Sequence, residues 1–336
     1  MNLNRRHVSA LLLGNALGAP AFAAAPELTM KIASPVAGDA SNEWMRRFKQ
    51  GVEQRLPGQV RVELYPSNQL GPIPATVEGV ALGTIQMTIP AAGFVTGLEP
   101  RFQVLDVPGL FDSVQHTQRV FADPAARQLV AGFGSGKGVE ALFVYAASPL
   151  MLLTRRPVTS LADLKGMKIR STGGAAFQIE PLRKLGAIPV SMPLGDTMSA
   201  LQNRALDGVV SGIAVFTALK YHDVARCLTL LPGSMLMIVG LASRTFLSKL
   251  GRPAEAVVRD ESQRAETVLA QLGADDMERM QAQWRERGGS IATLPAPEAR
   301  RYLEIVDGVL KPMLSSNPTL QADYLALRAA AQRVRS

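Results

Sequence analysis

Short apolar runs alternate along the chain with stretches whose apolar positions recur every three to four residues, the signature of strands interleaved with amphipathic helices. Leu28 to Ser34 reads as a strand and Pro35 to Ala40 as a small-residue loop. A helix then starts at about Ser41, its predicted N-cap, with Trp44, Met45, Phe48 and Val52 on one face. Pro57-Gly58 closes that unit. Val60 to Tyr65 alternates as a second strand, a helix follows from about Pro74 to Leu82, and Ile85 to Pro90 reads as a third strand, the opening of a doubly wound half.

A second series begins near Ala141. Leu142 to Tyr145, Met151 to Thr154 and Lys168 to Arg170 read as strands, and Gly174 to Leu185 as a helix ended by Gly186. Ile188 to Met192, a helix over Asp196 to Asn203, then Gly208 to Val210 and Met235 to Leu241 complete the set. Nothing rich in Gly, Pro or Ser separates the two series, so crossing strands are expected to join two α/β halves with largely parallel sheets and to allow hinge closure. From Ala254 to Trp284 one helical face carries Val258, Ala265, Val268, Leu269, Leu272, Met280 and Trp284, with Gly273 as a candidate kink. Unbroken, that helix would be about 45 Å long. Helices at about Glu298 to Met313 and Thr319 to Gln332 close the chain.

The first residues follow another logic. Arg5 and Arg6 precede an apolar stretch from Val8 to Leu17 and an Ala21-Phe22-Ala23 pattern, so residues 1–23 are expected to be a removable export signal cut near Ala23, by the general or the twin-arginine route. Gly14, Asn15, Gly18 and Pro20 interrupt a stretch already too short to span a bilayer. The formal charge is +8, and loss of the signal removes two arginines and no acid. The remaining basic residues are scattered singly or in pairs such as Arg46-Arg47 and Arg300-Arg301, without the aromatic interleaving of a nucleic-acid face. With 336 residues and 47% hydrophobic content the chain can bury a large core without staples, and Cys227 as its one cysteine makes no intrachain disulfide.

Catalytic patterns fail on inspection. Gly132 to Gly138 misses the P-loop spacing because Ala131 stands where a glycine is required and Gly138 where Ser or Thr is required, so it reads as a surface turn. Beyond the signal only His116 and His222 remain, too few for a histidine-rich metal site, and each reads as a structural histidine. Cys227 reads as a buried structural residue. No enzyme, metal or cofactor is expected. A binding site is expected instead, at the carboxyl ends of strands. Arg170 ends the Lys168-Ile169-Arg170 strand and is followed by the small residues Ser171-Thr172-Gly173-Gly174, which suits bidentate capture of a carboxylate. A surface arginine paired with an acid is the equal alternative.

Four motifs in order, Tyr65-Pro-Ser-Asn-Gln-Leu-Gly71, Pro108-Gly-Leu-Phe111, Asp163-Leu-Lys-Gly-Met-Lys-Ile-Arg170 and Ala200-Leu-Gln-Asn-Arg-Ala-Leu-Asp-Gly208, make the chain resemble the TRAP-transporter substrate-binding proteins of the DctP type. The resemblance implies a two-lobed periplasmic binding protein fold, with hinge-connected sheets and a long helix spanning both lobes. It implies an organic carboxylate sealed in the cleft, paired with the arginine at the position of Arg170, and delivery to small and large membrane subunits. The expected division is 24–147 plus about 234–273 for one lobe and 148–233 plus about 274–336 for the other, in a monomer.

The chain departs from the sialic-acid and dicarboxylate binders of that family. Val209-Val210-Ser211 stands where they carry an acid or amide and then Asn, and Ser148 to Leu153 lacks their second arginine. Ala91-Ala92-Gly93-Phe94 has no polar head, and Met235, Leu236 and Met237 replace amides or acids. These substitutions favour a monocarboxylate or 2-oxo acid with an apolar or aromatic body, since a polyhydroxylated ligand would leave hydroxyls unpaired at about 1–3 kcal/mol each. Ser211 is the candidate second donor to the head group, and Phe94, Leu150, Leu194, Phe216 and Met237 are the candidate walls, with burial in the core as the alternative for these five. A dicarboxylate or sugar-acid receptor, and a receptor that signals to a kinase, are the rival readings.

Overall fold

The computed structural model describes residues 27–335; the expected export signal, 1–23, lies outside the described residues. The first half runs β1 (Leu28–Ala33), α1 (Ala40–Arg55), β2 (Val60–Tyr65), α2 (Ile73–Leu82) and β3 (Met87–Thr88), with β1 parallel to both β2 and β3. Helix α1 is capped two residues earlier than expected. Asp39, not Ser41, accepts from the Asn42 backbone N–H, and the Ser41 hydroxyl donates to the same carboxylate. Two helices the periodicity did not announce follow, α3 (Val114–Ala122) and α4 (Pro124–Ala131).

One strand then replaces two expected ones. β4 (Val139–Thr154) runs unbroken for 16 residues through Ser148-Pro149. Beyond it come β5 (Lys168–Arg170), α5 (Ala176–Lys184), β6 (Ile188–Val190), α6 (Leu194–Gln202), β7 (Gly208–Ser211) and α7 (Ile213–Ala218). β8 (Cys227–Ser243) is a second long strand, antiparallel to β4, with a register shift between Ala141 and Phe143 and two more beside the proline, between Ala146 and Ser148 and between Pro149 and Met151. A proline in mid-strand donates no ladder hydrogen bond and is tolerated at such irregularities, so the shifts mark where the ribbon bends between lobes. The chain ends with α8 (Arg244–Leu250), α9 (Arg252–Glu286), β9 (Ser290–Thr293), α10 (Ala296–Ser315) and α11 (Pro318–Arg333).

Among the described residues the strands form one sheet in the order β2-β1-β3-β8-β4-β7-β5-β6, with β9 paired to β8. Along that order the parallel pairs sit at the two ends and the antiparallel pairs β3-β8, β8-β4 and β4-β7 join them, while β9 runs parallel to β8. Most strand pairs are parallel, as expected, but the sheet is mixed because the two lobes share the antiparallel β4-β8 ribbon.

The core is divided accordingly. Trp44, Phe48, Phe143, Val258, Ala265 and Leu269 fill one face of the first lobe, while Phe102, Phe111 and Phe133 fill the other. Leu150, Ile169 and Tyr302 lie on one side of the second lobe and Met151, Phe216, Tyr221 and Trp284 on the other. Helix α9 is continuous for 35 residues, through Gly273, and contributes to a core in each lobe. Two positions of its expected apolar face, Val268 and Leu272, are outside the residues whose side chains are described. The expected grouping of 274–336 meets a different packing at the C-terminus: Leu320, Leu327 and Ala331 of α11 join Phe102 and Phe111 in the first lobe's core.

Candidate functional site

Strand β5 is only three residues long, and it ends by delivering Arg170 into the interior. Ser171 and Thr172 continue the buried line, and Gly173 turns the chain at φ +71°. A Cβ on Gly173 would stand 2.6 Å from the Gly93 carbonyl oxygen, so glycine is required for the backbone approach as well as for the turn. Across this contact Gly174 N–H donates to Gly93 O at 2.9 Å. Residues after β5 in one lobe thereby close against the turn Ala92–Phe94 in the other.

Behind that seam lies a cavity whose empty space, counting the solvent it opens onto, is about 560 Å³. Its first-lobe wall includes Pro35, Val36, Asp39, Ile89 and Phe94, and its second-lobe wall Arg170, Leu194, Ser211 and Val215. Leu236 and Ile238 of β8 also face it. Polar groups are few: Asp39, Ser41, Arg170, Thr172 and Ser211 stand among aliphatic side chains.

Arg170 is 1% exposed. Its Nε donates to Met192 O at 3.3 Å, and its guanidinium carbon lies 5.5 Å from the centroid of the Phe94 ring, within cation–π range. One terminal nitrogen is buried with no partner, and no carboxylate among the described residues pairs with the group. Burial lowers its pKa to about 10, with the Tyr221 phenol opposing the shift. At neutral pH the guanidinium is still charged, so the site holds a desolvated cation that lacks an anion. The alternative of a surface arginine paired with an acid does not describe this residue.

A polar chain connects the cavity wall to the first lobe. Thr172 Oγ1 donates to Gln178 Oε1 at 2.7 Å, and Gln178 Nε2 donates to Asp106 Oδ1 at 3.0 Å. Asp106 lies in the turn Pro100–Asp106, and its Oδ2 is buried without a partner. Burial alone pushes its carboxyl well above the ordinary carboxylate range.

Of the seven expected site residues, Arg170, Ser211, Phe94 and Leu194 are brought together around the cavity. Leu150, Phe216 and Met237 are not. Met237 is fully buried in the first lobe's core, because strand alternation turns its neighbours Leu236 and Ile238 to the cavity instead. Leu150 faces the Ile169 and Tyr302 side of the sheet. Phe216 stacks edge-on against Tyr221, 5.7 Å away, while Ala214 and Val215 present the other face of α7 to the cavity. Asp39, Ser41 and Val36 escaped the sequence reading, although they follow β1 just as Arg170 and Thr172 occupy the end of β5.

The remaining candidates lie elsewhere. His116 accepts from Asp112 N–H and bonds Ala331 O, tying α3 to α11, and His222 bonds Arg287. Cys227 is half-buried at the start of β8, not fully buried as expected. Gly134 and Gly138, both with positive φ, flank the short turn Ser135–Lys137 away from the cavity. No group of metal-ligating side chains occurs among the described residues, and no helix there is long and apolar enough to cross a membrane.

With this geometry in hand, comparisons place the chain. Residues 35–317 match the family described as bacterial extracellular solute-binding protein, family 7. The chain is 27% identical over 257 residues to the 2,3-diketo-L-gulonate-binding periplasmic protein of Escherichia coli (strain K12), covering 76% of this chain and 77% of that protein. Its fold resembles a TRAP periplasmic solute binding protein from Desulfovibrio salexigens crystallised with orotic acid, at a TM-score of 0.85, 19% identity and coverage of 92% and 100%. It also resembles one from Shewanella oneidensis with bound succinate, at 0.83, 22% identity and coverage of 91% and 99%.

Proposed function

This chain belongs to bacterial extracellular solute-binding protein family 7, a family of receptors and not of enzymes, and from that premise we propose that it binds an organic acid between its lobes. The observation that carries this reading is Arg170, a buried guanidinium with an unpartnered nitrogen in a cavity with few other polar groups. A ligand carboxylate would supply the missing charge, and Ser211 would add a second donor to the head group. Phe94, Leu194, Leu236 and Ile238 would hold the body of the ligand.

The sparse polar lining favours a monocarboxylate or 2-oxo acid with an aliphatic or aromatic body. A dicarboxylate or sugar-acid receptor is the second reading, favoured by the diketo-gulonate and succinate of two similar proteins, whereas the orotate of a third is a ring-bearing monocarboxylate. In either case the receptor would act in the periplasm after cleavage near Ala23, as a monomer, and hand its ligand to the small and large TRAP membrane subunits. Arg170→Ala tests the carboxylate role. Native mass spectrometry of the purified protein should identify a retained acid, and calorimetry with that acid should show a loss of at least about tenfold, or about 1.4 kcal/mol; a smaller loss removes Arg170 from the role.

A further inference from the structure

The cavity contains a second ionisable group that carboxylate capture leaves unused. Asp39 lines the same space as Arg170 but comes from the other lobe, at the end of the loop after β1. Three hydrogen bonds reach its carboxylate, and all three fall on Oδ1: from Asn42 N–H at 3.2 Å, from Asn42 Nδ2 at 2.9 Å and from Ser41 Oγ at 2.5 Å. Capping a helix needs one side-chain oxygen. None of these three bonds falls on Oδ2, which is not among the buried atoms left without a partner and so keeps its access to solvent, and no cation among the described residues pairs with the group. Around it the lining is Pro35, Val36, Ile73 and Ile89. Asp39 is half-buried, and desolvation raises its pKa against the opposing hydrogen bonds from Ser41 and Asn42. An aliphatic or aryl tail closed into this end of the cavity would strand the oxygen without water or a donor.

We infer that Asp39 sets ligand specificity, by accepting a hydrogen bond through Oδ2 from a hydroxyl or ammonium group that the ligand carries across an apolar span from its carboxylate. The inference rests on the carboxylate reading of Arg170 and narrows it to hydroxy and amino carboxylates. It also separates the two readings of function. A dicarboxylate would bring a second anion toward Asp39, whereas a donor at the same position satisfies it.

Matched ligands test this in the full mature chain. Hexanoate, 6-hydroxyhexanoate, 6-aminohexanoate and adipate form one series, and 4-methylbenzoate, 4-hydroxybenzoate, 4-(aminomethyl)benzoate and terephthalate the other. Calorimetry should show the hydroxy or amino member of at least one series binding at least about tenfold tighter than both its unsubstituted parent and its diacid. In Asp39→Asn, which keeps an oxygen to cap α1, an ammonium advantage should fall below about threefold while the diacid gains. Parents that bind as tightly as their substituted partners in both series overturn the inference and leave the carboxylate reading intact, whether or not the variant folds. So does an advantage that survives in a folded Asp39→Asn protein. If no acid of either series binds, or if Arg170→Ala leaves every affinity unchanged, the carboxylate reading fails and the inference goes with it.

Discussion

Arg170 and Asp106 are both buried, and each has one polar atom with no protein partner, but their surroundings give that vacancy opposite meanings. Arg170 opens onto a cavity; Asp106 is sealed in the seam where the lobes meet. A guanidinium with a pKa near 10 keeps its proton at neutrality, so it cannot relieve its own desolvation by titrating. A carboxyl can instead take a proton, become a donor and relieve its own desolvation. One vacancy calls for a ligand, the other for a titration.

The largest predicted effect comes from forcing the seam apart. Gly173→Val adds a side chain where a Cβ alone would stand 2.6 Å from Gly93 O and 2.9 Å from Phe94 N, both backbone atoms that cannot rotate away. Closure should fail, with affinity for the acid recovered by native mass spectrometry falling about a hundredfold or more. Small-angle scattering should show no compaction on adding ligand. An affinity within about threefold of the parent would mean that the seam is not part of the bound state. A smaller effect, of opposite sign in stability and affinity, is expected at Arg170. Arg170→Met removes a buried cation that lacks an anion and leaves an apolar side chain of similar reach, so the ligand-free protein should gain about 1–3 kcal/mol while ligand affinity falls by about tenfold or more. That corresponds to a rise of a few degrees in Tm, read by calorimetry on protein stripped of ligand. A lower Tm would show that Arg170 is satisfied without ligand, and the contrast with Asp106 would disappear.

Sequence reading reached the elements better than the faces they present. β2 and β5 were legible to the residue, because alternation in Val60–Tyr65 and the stop after Arg170 are local signals. β4 was read as two strands because Pro149 normally argues against a strand interior, and the pairing with β8 that tolerates it comes from the far end of the chain. β9, four residues with no buried side chain, carries no apolar pattern to read. Arg170 was legible from the strand-end rule; the same rule applied to β1 would have found Val36 and Asp39. At Leu150, Phe216 and Met237 the core alternative holds, because apolar composition shows that a side chain is buried, not whether core or cavity takes it. The Thr172-Gln178-Asp106 chain joins residues 72 positions apart, which no spacing announces.

The smallest effect tests the Asp106 half of the comparison. In the closed state burial holds its pKa well above the ordinary range, and opening would remove Gln178 and admit water, returning it toward the usual value of about 3.9. The closed state therefore binds the proton more tightly. Its stabilising share is complete below the ordinary value, declines as pH rises toward the raised value, and is absent above it. Ligand affinity should weaken with rising pH across that window, and binding should take up a fraction of a proton, measurable by calorimetry in buffers of different ionisation enthalpy. Two other groups titrate in the same direction. Glu266 is pushed up to about 7 by burial, against the opposing pull of Arg127, and Asp39 is raised within the cavity. Asp106→Asn isolates the seam, because an amide keeps the acceptor for Gln178 and carries a permanent donor in place of the ionisable oxygen. It should reduce proton uptake and flatten the pH profile, with Glu266→Gln as the matched control away from the cleft. Equal proton uptake in Asp106→Asn and the parent would mean that Asp106 stays protonated in the open form too, and that its vacancy has nothing to do with closure.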